Sequence, residues 1–465
     1  MVRGLARAQP PSRGCPPRLG RACSPMQQPL SPAETSSESA VPLAEGPPIA
    51  SASSRLAAFR ALRHRNFRLF FSGQLISLIG TWMQMVAQGW LVLRLSNSSF
   101  MLGVVAFAGY LPILMVSLFA GVVVDHVDRR RLIVFAQTLM MLSAFVLAAI
   151  TWARVVKVEH VIILAALNGV VSSFDMPGRQ AFLVEMVGRE DLPNAIALNS
   201  MIFNGARALG PAIAGLLLAA IGEAGCFFLN GVSFLAVIWS LLAMDIPARE
   251  ARKLGAMMLH RLREGLAYVW RHRPTFNLLL MIAIVSGFGF QYTVLMPVFA
   301  RDVLHGGAQT YGFLLAAQGV GAVVGAIVMG SRSPTAKAHI QNLVAGLFGL
   351  ALAIIAFGAS PWLWLSLSAQ VIVGAGLMSY MATTNTLLQL SVSDELRGRV
   401  MSIYVLSFIG MAPLGSLMVG SVGQHASPQV AVILCGAISL LCGFYLLRSL
   451  NLLASAALDR APLTT

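Results

Sequence analysis

The sequence predicts an all-α membrane protein with twelve transmembrane helices, arranged as two related halves of six. Composition, a succession of apolar segments and an internal repeat support this fold class. Of the 465 residues, 57% are hydrophobic and only 11% are charged, whereas a soluble domain carries about 25% charged residues. From residue 67 onward, apolar segments follow one another with short connections. Most are long enough to cross a bilayer as helices.

The segment from Gly121 to Arg131 indicates how these helices are connected. It reads GVVVDHVDRRR and separates two stretches, 100–124 and 132–153, that contain no charged residue. Each stretch reaches the length of about 20 residues that a spanning helix needs. The three arginines in the connection place it on the cytoplasmic side of the membrane, because cytoplasmic loops are enriched in Lys and Arg.

The other basic residues agree with that orientation. Few of them fall in the predicted outer loops, and many fall in the predicted inner loops. The outer loops hold Arg94, Arg154, Lys157 and Arg301, whereas the inner loops hold Arg129, Arg130, Arg131, Arg189, Arg332, Lys337, Arg397, Arg399 and the arginines of a central linker. We therefore predict a multi-pass membrane protein with both termini in the cytoplasm.

Polar and low-complexity segments divide the chain into five regions. Residues 1–55 are rich in Pro and Ser and are predicted to be a disordered tail. Residues 56–245 form a first six-helix bundle and residues 275–450 a second one. Between them, 246–274 is predicted to be a cytoplasmic linker with an amphipathic helix. Residues 451–465 form a C-terminal tail.

Several function classes find no support in the sequence. The net charge of +15 comes from short loops between apolar segments, so nucleic acid is not a predicted partner. The five cysteines show no CxxC spacing, and we expect neither disulfides, a metal site nor a cofactor. There is no GxxxxGK[ST] phosphate loop, which argues against ATP as the energy source. Nor is there a catalytic arrangement outside the membrane, so the chain is not predicted to be an enzyme.

The two halves show an internal repeat. Gly325 lies 204 residues after Gly121, and in both places a polar turn follows between two spans. In the second copy, Met329 occupies the position of Asp125, so only the first copy keeps the acidic residue. Such parallel repeats, related by an axis along the membrane normal, occur in transporters.

The first copy of this turn resembles a known signature. Gly121-x-x-x-Asp125, followed by Arg129 and Arg130, resembles the motif between helices two and three of the major facilitator superfamily. Asp128 departs from the superfamily pattern, in which glycine is common. Small residues such as Gly121 permit close approach of membrane helices.

A second motif lies in the fifth predicted span. Gly205, Gly210, Pro211 and Gly215 resemble the Gly-Pro motif found in helix five of the superfamily's antiporters. Three short segments, at 77–82, 194–197 and 397–399, are similar to the branch that contains the enterobactin exporter and macrolide efflux proteins. The resemblance covers about residues 60 to 450.

This resemblance implies a secondary active transporter of the bacterial inner (plasma) membrane that exports a small amphipathic molecule of the drug or siderophore class. It further implies proton antiport and alternating access, in which two six-helix halves rock about a central site. The expected partners are the small-molecule substrate, protons and the lipid bilayer, and the expected state is a monomer. The alternatives are an uptake or lipid-moving carrier of the same fold, and a transport-inactive receptor or scaffold.

The resemblance also implies a conformational gate at the cytoplasmic end. Asp125 is expected to face the start of span eleven near Arg397 and Arg399, and Arg129 to reach Glu185. These contacts would hold the inner gate shut in the outward-open state. The alternative is that the arginines only determine topology.

Two charges lie clearly inside predicted spans, where a charge is costly and demands a partner or a function. Asp175 and Arg207 are each about 15–20 Å from the inner end of their helices at 1.5 Å per residue. They are expected to meet, either as a permanent ion pair or as a proton-coupling site. Arg179 is a competing partner for Asp175.

Other polar residues in the spans are expected either to hydrogen-bond between helices or to line a mostly apolar cavity. The predicted cavity residues are Gln84, Gln88, Asn204, Gln291, Tyr292 and Asn385.

Overall fold

The computed structural model describes residues 59–246, 258–331 and 335–458, and nearly all of them are helical. The predicted N-terminal tail, part of the linker and the end of the predicted C-terminal tail lie outside these residues. The described residues belong to one compact unit.

The N-terminal half begins with three helices, α1 (Arg65–Ser96), α2 (Ser99–His126) and α3 (Arg129–Trp152). Polar side chains start two of them. Ser98 precedes α2 and Asp128 precedes α3, and each side chain accepts the backbone N–H three residues further on. Such N-caps satisfy a donor that the first helical turn leaves free. They explain how a new helix begins directly after each turn, including at Asp128, where the family pattern has glycine.

The next element, α4 (Val158–Leu242), is one run of helical residues that is broken at two glycines. Gly188 has φ +73° and Gly222 has φ +70°, a backbone region that glycine adopts without steric cost. The three sections are α4a (158–187), α4b (189–221) and α4c (223–242).

Contacts at the two ends of α1 fix the direction of α4b, the section between the two glycines. At one end of α1, His64 Nε2 lies 2.7 Å from Asp191 Oδ2, at the start of α4b. At the other end, Arg94 Nε lies 2.7 Å from Glu223 Oε1, at the start of α4c. Section α4b therefore runs parallel to α1. Section α4c runs back, because Asn66 at the start of α1 donates to the carbonyl of Asp245, just after α4c, at 2.9 Å. This half thus has six passes.

The C-terminal half follows α5 (Met258–Arg271), the helix of the linker. Its first pass starts as α6 (Arg273–Ile284) and continues through π and 3-10 turns to Val303. The remaining helices are α7 (Ala308–Gly330), α8 (Ala336–Ala359), α9 (Leu363–Ser391), α10 (Asp394–Gly410), α11 (Ala412–His425) and α12 (Pro428–Leu458).

In the part of the chain that the structure describes, ten helical stretches are long and apolar enough to cross a membrane. One of these stretches joins α10 and α11, and another is α4 with its three passes, so the described residues make twelve passes. The predicted all-α membrane fold is confirmed.

Polar contacts join the two halves at one end of the bundle. Ser98 Oγ donates to Gln424 Oε1 at 2.9 Å, and Arg301 Nη2 donates to Asn97 Oδ1 at 2.6 Å. We call this the Arg301 end, and the opposite one the Arg129 end.

Glycines bring the halves together toward the Arg301 end. A Cβ atom built on Gly103 of α2 would lie 2.5 Å from the carbonyl oxygen of Ser416, and one on Gly312 of α7 would lie 2.5 Å from that of Pro211. Gly121 lies on the same face of α2 as Gly103, since eighteen residues are five turns. A Cβ there would meet nothing within 4 Å. The halves are therefore in close contact toward the Arg301 end, whereas Gly121 makes no such close approach to the described residues.

Candidate transport pathway

A cavity of about 330 Å³ lies between the two halves. Its walls come from α1, α2 and α4a on one side and from α7 and the 290–297 segment on the other. Most of the wall is apolar, and none of its described residues is charged. The polar groups in it are Gln88, Tyr110, Asn168, Ser172, Thr293 and Tyr311. The size and the mostly apolar lining suit a small organic molecule.

Asn168 lies in the cavity wall and is held by a neighbouring helix. Its Nδ2 donates to Ser143 Oγ at 3.1 Å, and its Oδ1 is buried without a hydrogen-bond partner in the described structure. Asn168 therefore ties α4a to α3 at the cavity wall, and its oxygen is enclosed by the protein.

Of the six residues predicted to line a cavity, Gln88 lies in the wall. Four of the others make hydrogen bonds within their own half. These bonds are Asn230 Nδ2 to Gln84 Oε1 (2.5 Å), Asn204 Nδ2 to the Ser200 carbonyl (2.8 Å), Gln291 Nε2 to the Ser286 carbonyl (3.1 Å) and Gln389 Nε2 to Asn385 Oδ1 (2.5 Å).

Tyr292, the sixth, is the centre of a buried polar cluster in the C-terminal half. Its hydroxyl donates to Gln370 Oε1 at 2.8 Å and accepts from Gln318 Nε2 at 3.0 Å. The three side chains come from three different passes, and each is at most 4% exposed. The cluster therefore ties α7 and α9 to the 290–295 turn.

Replacing Tyr292 with Phe is expected to destabilise the C-terminal half by about 1–3 kcal/mol, because two buried amides lose their shared hydroxyl. Thermal unfolding of the detergent-purified protein measures this. Tyr445→Phe is the matched control, since its hydroxyl donates one bond to Asn277 from a half-exposed side chain. Equal losses of stability in the two variants would contradict a special role for the cluster.

Asp175 is fully buried and makes its contacts inside the N-terminal half. Its Oδ1 accepts from Gln137 Nε2 of α3 at 2.9 Å, and its Oδ2 lies 2.6 Å from Arg179 Nη2. The structure thus pairs Asp175 with Arg179, the competing partner, and not with Arg207. Arg179 lies one turn away on the same helix, where residues i and i+4 are neighbours. The backbone of Arg207 instead lies against α7, because a Cβ on Gly319 would be 2.5 Å from its carbonyl oxygen.

The residues predicted to form a gate are distributed over two places. Arg129 Nη1 lies 2.7 Å from Glu185 Oε1 and donates to the Ala181 carbonyl at 3.2 Å, so the expected contact between α3 and α4a is present. Arg130 binds the end of α4c by donating to the last two carbonyls of that section, at 2.7 and 2.8 Å. Basic side chains are favourable there because helix C-termini carry free carbonyls.

The gate residues of the C-terminal half lie at the start of α10. Arg399 Nη1 lies 2.7 Å from Glu264 Oε2 of α5, which docks the linker helix on α10. Arg397 is exposed. The side chain of Asp125 lies outside the described part of the structure, so its expected contact with these arginines stays a prediction.

The helix-five motif lies where α4b packs against its neighbours. A Cβ on Gly210 would be 2.8 Å from Trp82 Cβ of α1, and one on Gly215 would be 3.0 Å from the Ala308 carbonyl oxygen of α7. The Pro211 carbonyl approaches Gly312, whereas a Cβ on Gly205 would meet nothing within 4 Å. Three of the four motif residues therefore permit close packing of α4b on α1 and across the interface on α7.

Comparison with known proteins agrees with this geometry. The major facilitator family described as transmembrane secretion effector matches residues 56–465. The chain is 27% identical over 355 residues to the staphyloferrin A transporter of Staphylococcus aureus, which covers 76% of this chain and 88% of that protein. It is 29% identical over 364 residues to the multidrug efflux pump Tap of Mycolicibacterium fortuitum, covering 75% and 88%.

Among solved structures, the fold is similar to that of a peptide transporter POT, with a TM-score of 0.67 and 13% identity, covering 84% of this chain and 95% of that one. The predicted resemblance to the drug and siderophore branch of the superfamily is confirmed by the family and its relatives. Members of this family are multi-pass membrane transporters and not enzymes. The chain belongs to the transmembrane secretion effector family of the major facilitator superfamily.

Proposed function

We propose that this protein exports a small amphipathic molecule of the drug or siderophore class across the bacterial inner membrane in exchange for protons. The observation that carries the proposal is the cavity between two six-helix halves, which are closed against each other at one end. The matches to a multidrug efflux pump and a siderophore transporter support the substrate class.

The distribution of Lys and Arg supports placing the Arg129 end in the cytoplasm, together with both termini. With that orientation, the close contacts at the Arg301 end lie on the outer side of the membrane, which supports an inward-facing state in which a molecule enters the cavity from the cytoplasm. Export then requires the contacts at the Arg301 end to separate while the Arg129 end closes. Alternating access of this kind proceeds largely by rocking of the two halves.

The gate residues fit the closing step. As the halves rock, the face of α2 that carries Gly121 approaches the start of α10. Asp125 then pairs with Arg397 or Arg399, while the bond between Arg129 and Glu185 holds the adjacent turn in place. This latch stabilises the outward-facing state, and the monomer contains all of its parts.

Asp175 fits the proton-coupling step. It is fully buried, and its charge is balanced by Arg179, a side chain that remains a quarter exposed. Protonation of the carboxylate removes the attraction to Arg179 and favours separation of the two groups, whereas deprotonation restores the pair. The proton exchanged for substrate binds here.

An efflux assay in a bacterial strain without its main pumps tests the proposal. Expression is expected to lower the accumulation of some members of a drug and siderophore panel, and a protonophore is expected to abolish the effect. Cells with the empty vector are the control. Increased accumulation on expression would indicate uptake, and export that survives the protonophore would exclude proton exchange as the driving force.

A further inference from the structure

The linker helix α5 ends directly beside a membrane pass. One residue separates its last residue, Arg271, from Arg273, where α6 begins. The pass that starts with α6 is long and apolar enough to cross a membrane, and it ends at Val303 near the Arg301 end. The last turn of α5 therefore lies at the Arg129 end, at the level where this pass enters the bilayer.

One face of α5 is packed on α10. Glu264 Oε2 lies 2.7 Å from Arg399 Nη1. A Cβ atom built on Gly265 would lie 3.1 Å from Arg399 Cβ and 3.2 Å from Ile403 Cδ1. Val269, one turn after Gly265, is buried. An ion pair and close packing thus join α5 to the start of α10, so an interaction that holds α5 also holds the start of α10.

A second face of α5 is apolar and exposed. Leu266 is 40% exposed and Trp270, one turn further on, is 67% exposed. The Trp270 ring lies 5.1 Å from the ring of Phe276, in the first turn of α6. The indole therefore lies at the boundary of the bilayer, where Trp is enriched in membrane proteins. Arg271 and Arg273, on either side of the junction with α6, are also exposed.

We propose that this exposed face, formed by Leu266, Trp270, Arg271 and Arg273, binds anionic phospholipid headgroups of the cytoplasmic leaflet. An apolar helix face flanked by arginines is what an anionic membrane surface attracts. The described acidic residue of α5, Glu264, is paired with Arg399, so the charge beside Trp270 is positive. Each arginine near such a surface favours anionic over neutral lipid about fivefold.

The lipid contact has a consequence for the gate, and this part of the inference rests on the proposed function. Arg399 belongs to the proposed latch, but in this state it pairs with Glu264 of α5. Anionic lipid that holds α5 in place keeps Arg399 on Glu264 and delays its release to Asp125. Anionic lipid therefore favours the inward-facing state and slows the exchange between the two states.

Brominated lipids test the contact without any transport, because bromine quenches a nearby indole. The purified protein is reconstituted in phosphatidylcholine vesicles that contain increasing fractions of brominated phosphatidylglycerol or brominated phosphatidylcholine. The signal of Trp270 is the difference between the wild type and Trp270→Phe. Brominated phosphatidylglycerol is expected to quench Trp270 at an about fivefold lower fraction, or less, than brominated phosphatidylcholine.

The double substitution Arg271→Gln and Arg273→Gln is expected to remove this preference and to keep quenching by both lipids. Arg154→Gln is the matched control, because it removes an exposed arginine in the loop after α3, and it is expected to keep the preference. Trp270 that neither lipid quenches, equal quenching by the two lipids in the wild type, or a preference that survives the double substitution overturns the inference.

Counterflow of a substrate found in the efflux assay tests the link to the gate. Phosphatidylglycerol is expected to slow counterflow in the wild type compared with pure phosphatidylcholine vesicles. Glu264→Ala is expected to keep the quenching preference and to lose this lipid dependence, because the bond to Arg399 is absent. Equal lipid dependence in the wild type and Glu264→Ala overturns the link. A quenching preference in a protein that transports nothing would support the lipid site and refute the proposed function alone.

Discussion

Replacing Asp175 with Asn is expected to reduce transport driven by a pH gradient to background while the protein still folds. Asn has nearly the same shape, and its Oδ1 can still accept from Gln137. It cannot bind and release a proton, so the charge facing Arg179 no longer changes during the cycle. Proteoliposomes with an imposed pH gradient measure the driven component, and substrate counterflow without a gradient measures the movement of the two halves. Counterflow is expected to remain.

Glu185→Gln is the control for this experiment. Glu185 also pairs with an arginine, Arg129, but at the end of the bundle and in the gate. Loss of the Glu185 charge is expected to change the rates of pH-driven transport and of counterflow together. The ratio of the two rates is expected to stay unchanged. If Asp175→Asn keeps the wild-type ratio, Asp175 is a structural ion-pair residue, and the proton binds elsewhere.

Leucine at Gly103 or Gly312 is expected to lower transport about tenfold or more by preventing closure at the Arg301 end. Each glycine lies opposite a backbone carbonyl of the other half, and a Cβ would lie 2.5 Å from it. Backbone atoms cannot rotate away, so the helices must separate. Overpacking costs about 1–3 kcal/mol, and 1.4 kcal/mol is a factor of ten in an equilibrium constant.

Thiol labelling distinguishes a shifted equilibrium from a misfolded protein. Leu102 lines the cavity and is 5% exposed, so a cysteine in its place reports opening at the Arg301 end. In the Gly103→Leu and Gly312→Leu variants, labelling by an impermeant reagent is expected to become faster. Gly349→Leu is the control, since a Cβ there would meet nothing within 4 Å. Unchanged labelling with full transport would show that the glycine contacts do not form the closed end.

Much of the helical membrane fold was predictable because it depends on local properties of the chain. The length of the apolar segments matches the thickness of the bilayer, and N-cap residues such as Asp128 mark where a helix starts. The break at Gly188 lies beside Arg189, which the sequence assigned to an inner loop. The pairing of Arg129 with Glu185 could also be predicted, because both residues flank short turns that the family resemblance places together.

Which polar residues line the cavity was less predictable from the sequence. Gln88 faces the cavity, whereas Gln84, one turn away, binds Asn230. Both are glutamines in the same helix, and nothing local distinguishes them. The sequence indicated the cluster of Tyr292, Gln318 and Gln370 only weakly, through polar side chains in otherwise apolar spans.

The sequence by itself determined the membrane environment, the twelve passes, the relation of the two halves and the family, since these follow from residue type and spacing along the chain. Only the tertiary structure decided which partner each buried charge has. Asp175 pairs with Arg179 one turn away, and Arg207 lies toward the opposite half. The physical reason is that the sequence gives only the depth of each residue along its own helix, by counting residues. The direction in which a side chain projects depends instead on how each helix is rotated about its axis when it packs against its neighbours.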